Sequence, residues 1–463
     1  MTMSLEDGGK AKIVFAGSGT AGHVYPGIVV AEELVDSFGI AKDAIVFVGA
    51  GIGYGKGAIE SRGFRFVELR SAAPLRGRTI GVAARSVLKT LVGTREAFEL
   101  LLSLGPEIVV GIGGYASAPV LAAARALDIG VTVLQVDATF GLANALGTLF
   151  SDVVPFAFPA SLETFRANPA SRAALRGGTL PVPVRPMVRP AIEEIGKQLS
   201  TGSARKLIAS AKERLGLDPD RKLACFVGGS LGARPLNEAF IRLVEHSVQS
   251  GSKSARRAGS FDCDAILVSG ERFFDESAAL LEQTAGSARI RRAKKTSQMV
   301  AEVCGGDKAV SAKVGQQTFA IVSFVKSIER LYQASDLMIC RAGAATVGEI
   351  VAAGVPAVLV PSSYVAGLHQ HANAEALARA GGAVIVDDSQ TTMLPSVIRR
   401  LLDTPEKLRR MRSSSHACSR APYRAAEVVA ELAGLTSSRK FGEGTRIGGE
   451  ARLLSVAGFG RRS

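Results

Sequence analysis

The 463-residue chain contains no tryptophan, its aromatic residues amount to only 6%, and cysteine occurs five times. Cys225, Cys263, Cys304, Cys340 and Cys418 are scattered, odd in number and without metal-ligand spacing, which fits a reducing cytoplasm. No run of about 18 apolar residues occurs. The opening MTMSLEDGGKAK also lacks an apolar signal core, so the expectation is a soluble or peripheral chain. Acidic residues are in deficit, 42 against 56 Lys and Arg, for a net charge of +14. That excess is local. Residues 247–258 carry three cations and no acid, 286–298 carry five and no acid, and 436–463 carry a net four, leaving about +2 for everything else. Such Ser-, Gly- and Ala-rich text reads as solvated insertions and a disordered tail, and nucleic acid is not an expected partner.

Glycine, in contrast, is abundant at 51 residues. Small residues on helices and Val/Ile/Leu-rich strands suit an α/β protein, and the length calls for two domains. Strand KIVFA leads to a helix PGIVVAEELVDSF with Pro26 in its first turn, then come strand AIVFVG, strand FRFVEL, helical text from Val82 to Leu101, strand EIVVGIG, helix PVLAAARAL and strand VTVLQV. This βα repetition predicts a doubly wound parallel sheet. GGTLPVPVRPMVRP, with four prolines, reads as an interdomain linker. A second round follows from strand KLACFVGG to strand AVLVP, with helical text from Pro405 to Leu435 finishing it. The expected boundaries are 1–180 and 181–435, with basic insertions near 247–260 and 286–317 and a tail at 436–463. Two such halves imply a cleft.

The loop Gly17-Ser-Gly-Thr-Ala-Gly-His23 follows the first strand and opens the first helix. Its glycines allow close backbone approach, and the helix start favours phosphate. The same spacing fits a dinucleotide-binding turn, leaving two enzyme classes open. A nicotinamide cofactor, however, calls for an acidic residue after the second strand, and AGIGYG supplies none.

In order along residues 12–432, GSGTAGH, PLRGR, GIGGYASAP, GLAN, GGSLGAR, CRAGAATVGEIVAAGVPAVLVP and HQHANAEAL resemble the MurG family of peptidoglycan N-acetylglucosaminyltransferases. The resemblance implies a GT-B fold of two Rossmann-like domains and inverting transfer of GlcNAc from UDP-GlcNAc to the 4-hydroxyl of the muramoyl sugar in lipid I, forming lipid II. It also implies peripheral attachment to the cytoplasmic membrane face, cell-wall synthesis proteins as partners, and no cofactor.

On the donor side, the resemblance puts Glu349 on the ribose hydroxyls, although Thr346-Val-Gly-Glu349 also spells a capping box. Thr346 and Ala344 lie in the same motif, Ala344 as a backbone contact. Ser230, Gly232 and Arg234 would stabilise departing UDP, Val325 would meet uracil through its backbone, and Gln370 and Asn373 would hold the sugar. Arg185 is kept from a G-N-P-V-R motif. Asp262-Cys-Asp264 reads as a loop, and no metal is expected.

On the acceptor side, Gly19, Thr20 and Gly22 would bind the lipid diphosphate. His23 would serve as base or phosphate contact, and Tyr115, Ser117 and Asn144 match further positions. Where the family reads H-E-Q-N, this chain has Leu134-Gln135-Val136-Asp137, making Asp137 a second candidate base. An apolar and basic stretch, Leu75, Arg76, Arg78, Val82, Arg85, Val87, Leu88, Lys89 and Leu91, would meet anionic lipid. The alternatives are a related UDP-hexose:lipid transferase and a catalytically weakened sugar-nucleotide-binding scaffold.

Overall fold

The structure, a computed structural model, describes residues 12–17, 21–49, 54–69, 80–114, 116–229, 231–250, 263–286, 290–292, 308–363 and 369–434; for residues 21–23, 54, 80–91, 142, 250 and 290–292 it describes the backbone alone. The chain divides into two compact units, one ending at Met187 and resuming at Ala421, the other running from Val188 to Arg420.

In the first unit the described residues form a seven-stranded sheet of β1 (Ile13–Gly17), β2 (Ile45–Gly49), β3 (Arg65–Glu68), β4 (Ile108–Gly113), β5 (Gly130–Val133), β6 (Val153–Phe156) and β7 (Leu180–Pro183). The order is β3-β2-β1-β4-β5-β6-β7 and every pairing is parallel. β1, β2 and β4 are buried along their whole lengths, which is why they read as unbroken apolar runs. Phe15 and Phe47 stack across β1 and β2 with ring centroids 4.9 Å apart. The chain leaves β1 toward β2 and returns on the other side at β4, so a crossover point lies at the C-terminal ends of β1 and β4. A side chain on Gly49 would collide with the Gly17 carbonyl, so glycine keeps the strand ends there close.

The second unit has an eight-stranded sheet among its described residues: β8 (Lys222–Val227), β9 (Cys263–Val268), β10 (Ile290–Arg292), β11 (Ala309–Val314), β12 (Gln317–Val322), β13 (Leu337–Cys340), β14 (Ala357–Leu359) and β15 (Ala383–Ile385). Its order is β10-β11-β12-β9-β8-β13-β14-β15, parallel except for the antiparallel β10–β11 and β11–β12 pairs. The crossover falls between β8 and β13. Phe226, Phe240 and Phe319 meet edge to face beneath it, with centroids 5.6 and 6.2 Å apart. Burying each such ring contributes about 1.5–3 kcal/mol.

Several sequence expectations change here. The proline-rich stretch is not simply a linker, because its Leu180–Pro183 portion is the edge strand β7. Leu180 and Val184 donate to Asp152 and Phe156, so Pro181 and Pro183 occupy alternate positions whose missing N–H would face away from β6. Residues 309–314 of the expected basic insertion form β11, which turns into β12 through Gly315 at φ 63° and Gln316. Residues 251–260 and the tail lie outside the described residues. Pro26 sits well inside the helix Ala21–Phe38, where it has no N–H to offer the Gly22 carbonyl. The final helical text splits into Pro405–Cys418 and Ala425–Leu432. The latter belongs to the first unit, where Arg424 pairs with Glu33 at 2.6 Å.

Candidate active site

At the second unit's crossover, β8 runs into a glycine turn. Gly229 and Gly232 have φ of 86° and 75°, and a side chain on Gly232 would strike the Ser269 carbonyl. The turn therefore lies against the end of β9. Asn237, nearly buried, fastens that end by donating to Ser269 O at 3.2 Å and Ser277 Oγ at 3.3 Å. Ser230 lies outside the described residues. Arg234 is exposed, paired with Glu276 at 3.0 Å and over the Phe273 ring at 5.7 Å.

Across the crossover, β13 passes through Arg341, Ala342 and Gly343 into the helix Ala344–Ala353. Gly343 is the N-cap and provides no side-chain cap, so the first-turn amides of Ala344, Ala345 and Thr346 have no intrahelical acceptor. Such an end attracts phosphate. The capping-box reading of Thr346 and Glu349 is thereby corrected: the helix begins before Thr346, and Glu349 is free to project sideways. Its Oε1 accepts from Arg189 Nη2 at 3.0 Å and its Oε2 from the Tyr332 hydroxyl at 3.0 Å. Burial pushes the Glu349 carboxyl above its ordinary range, while Arg189 and Tyr332 pull against that rise. Burial raises the Tyr332 hydroxyl too, keeping it a donor.

The loop before this helix is held from below. Arg341 Nη1 bonds Asp388 at 2.6 Å and Val360 O at 3.1 Å. Asn373, expected on the sugar, is fully buried and donates to Ala342 O at 3.1 Å in the loop before this helix. Gln370 is half-buried, and its Oε1 accepts from the Ser362 amide at 2.9 Å. Val325 is buried directly after the half-exposed Phe324.

At the first crossover, Gly22 and His23 stand in the opening turn of the helix Ala21–Phe38, whereas Gly19, Thr20, Tyr115 and the His23 side chain lie outside the described residues. Ser117 is buried and donates to Gly114 O at 2.7 Å. Leu134 and Val136 are buried. Gln135, also buried, donates to the carbonyls of Asp137 at 2.7 Å and Thr139 at 2.9 Å, and accepts from Asn144 Nδ2 at 2.8 Å. Asn144 also donates to Leu134 O at 3.2 Å, so its amide nitrogen is committed to shaping this loop. Asp137 alone of the four remains half-exposed. Arg185 belongs to this unit and donates through Nε to Ala421 O at 3.1 Å.

Asp264 lies in β9 and not in a loop. Its side chain is 2% exposed, it accepts from the Thr318 amide at 2.7 Å, and burial raises its carboxyl to about 6. Among the described residues no cluster of three His, Cys, Asp or Glu side chains is placed to hold a metal ion.

The sequence profile of the glycosyltransferase family 28 N-terminal domain matches residues 13–154, and that of the family 28 C-terminal domain matches residues 265–428. The chain belongs to glycosyltransferase family 28. Among family relatives, the UDP-N-acetylglucosamine–N-acetylmuramyl-(pentapeptide) pyrophosphoryl-undecaprenol N-acetylglucosamine transferase of Caldanaerobacter subterraneus subsp. tengcongensis is 29% identical over 90% of this chain and 99% of its own. Acinetobacter baumannii MurG superposes with a TM-score of 0.60 at 24% identity, covering 92% of this chain and 99% of that one. The calicheamicin glycosyltransferase CalG4 superposes at 0.53 and 16% identity, over 93% and 100%. These likenesses give the GT-B fold of paired Rossmann-like domains. Glu349 and the helix Ala344–Ala353 lie within the family 28 C-terminal match, and His23 and Asp137 within the N-terminal one.

Two residues that sequence reasoning missed, Arg189 and Tyr332, hold the carboxylate. Both come from other elements, Arg189 lying 160 positions away in the chain, and no local spacing signals them. Gln135 was legible only as a departure from H-E-Q-N.

Proposed function

We propose that the chain transfers GlcNAc from UDP-GlcNAc, with inversion, to the 4-hydroxyl of MurNAc in undecaprenyl-diphosphate-linked lipid I, forming lipid II for peptidoglycan. The observation that carries this reading is the side chain set at the second crossover, a carboxylate held at both oxygens beside an uncapped helix start, in a family 28 chain. Glu349 takes the ribose hydroxyls, since each carboxylate oxygen keeps a further lone pair. The amides of Ala344 and Thr346 and the turn around Ser230 and Gly232 take the diphosphate as charge develops on it. Gln370 and Asn373 are assigned to the sugar, and Val325 meets the base through its backbone.

The glycine loop of the first unit, with Gly19, Thr20 and Gly22, takes the acceptor's diphosphate. His23 or Asp137 removes the proton from the attacking hydroxyl. Among the described residues no helix is long and apolar enough to cross a membrane, and contact with the cytoplasmic leaflet is assigned to the stretch from Leu75 to Leu91, whose side chains lie outside the described residues. Supplying lipid II would tie the chain to cell-wall growth, cell shape and division.

The test is UDP release from UDP-GlcNAc with a lipid I analogue, with and without EDTA. Turnover is expected in both. Tight UDP binding without turnover would support a sugar-nucleotide scaffold instead, and loss of turnover in EDTA would overturn the metal-free mechanism.

A further inference from the structure

Glu349 is held at both carboxylate oxygens, by Arg189 and by Tyr332. Arg189 is the N-cap of the helix Pro190–Leu199, and Pro190 in the first turn fixes where that helix starts. The helix packs on Ala344–Ala353 so closely that a side chain on Gly196 would collide with the Ala352 carbonyl. This contact sets the distance at which Arg189 reaches Glu349, while its other edge lies 3.8 Å from Glu329. Tyr332 lies one turn beyond Glu329 on the helix Ile328–Ala334. It is 1% exposed and its hydroxyl donates to Oε2, whereas the partly exposed Arg189 bonds Oε1.

We infer that Arg189 and Tyr332 are positioning residues for the donor nucleotide: together they fix the plane of the Glu349 carboxylate so that one lone pair on each oxygen meets one hydroxyl of a vicinal diol. The inference rests on the reading of Glu349 as the ribose acceptor and goes beyond it by naming what sets its geometry. A carboxylate locked before the ligand arrives loses little rotamer freedom on binding, which favours affinity. Arg189 suits this role because its planar fork holds an orientation as well as a charge.

The experiment compares UDP with 2′-deoxy-UDP by calorimetry on the full chain, for wild type, Glu349→Gln, Tyr332→Phe, Arg189→Gln and Arg189→Lys, alongside KM and kcat for UDP-GlcNAc. Wild type is expected to prefer UDP by about tenfold or more, the scale of a hydrogen bond to a charged group. Tyr332→Phe and Arg189→Gln are each expected to cut that preference by about threefold to tenfold and to raise KM far more than they change kcat, with Arg189→Lys recovering part of it. A purely structural role would weaken both ligands equally and leave the ratio intact. If Glu349→Gln loses the preference while Tyr332→Phe and Arg189→Gln keep it, the inference is overturned alone. If Glu349→Gln keeps it, the ribose reading falls and the inference falls with it. Should Tyr332→Phe fail to fold, the partly exposed Arg189 still carries the test.

Discussion

The two crossover points share a backbone plan and differ in what surrounds it. Each has a first strand between parallel neighbours, with glycine-rich sequence after it and a helix start beyond. Around the first, the described side chains that shape the loop are neutral amides and hydroxyls: Gln135, Asn144 and Ser117. Around the second, neutral amides serve as well, Asn237 on Ser269 and Asn373 on Ala342, but they are joined by ion pairs, Arg189 with Glu349 and Arg341 with Asp388. A neutral frame leaves backbone amides to meet a diphosphate. A carboxylate supplies the acceptor that sugar hydroxyls require. The fold alone therefore does not say which ligand goes where, and the proposed division of ligands rests on the side chains at each crossover.

The largest expected effect comes from deleting the group that separates the two. Glu349→Ala is expected to lower kcat/KM for UDP-GlcNAc by about a hundredfold or more, since two hydrogen bonds to a charged group are lost, with the KM for the lipid acceptor little changed. An equal loss on both substrates would erase the distinction.

Buried charge in the second unit should also make its stability depend on pH. The Asp264 carboxyl is raised to about 6 in the folded chain, so its stabilising contribution is present below the unfolded value near 4 and is lost as pH rises through 6. Between pH 4 and 7, wild type is expected to lose about 2–3 kcal/mol of unfolding free energy relative to Asp264→Asn, measured by urea denaturation. Parallel curves would contradict this.

The first crossover should respond differently. Asn144→Ala strands the buried Gln135 oxygen and is expected to cost about 1–2 kcal/mol by the same denaturation measurement, with UDP affinity unchanged. A fall in UDP affinity would place the nucleotide at the wrong crossover for this reading.

The smallest expected change concerns the acid limb of donor binding. Protonating Glu349 removes an acceptor, so KM for UDP-GlcNAc should rise as pH falls through the raised carboxyl value. Removing the Arg189 charge lifts that value further, so in Arg189→Gln the limb should move to higher pH. Movement to lower pH would contradict the role of the cation.

How far all this could be read from the chain depends on whether a signal is local. β1, β2, β4, β8 and β13 were legible because strands buried on both faces are unbroken apolar text. β6, β7, β10, β11 and β15 were missed: they are short, carry prolines or mix polar with apolar residues. The return of Ala425–Leu432 to the first unit was invisible because Arg424 and Glu33 lie 391 positions apart. At the site, residue types were legible from motif resemblance, and partners were not. Glu349 stood out while Arg189 and Tyr332 did not, and the full burial of Asn373 was not readable because sequence carries no measure of burial.

Amide hydrogen exchange of the full chain, with and without UDP, addresses the division of ligands between the crossovers most directly. The expected result is slowed exchange at residues 343–349 and in the turn 228–234, with residues 17–23 unchanged. Protection of 17–23 without protection of 343–349 would contradict it.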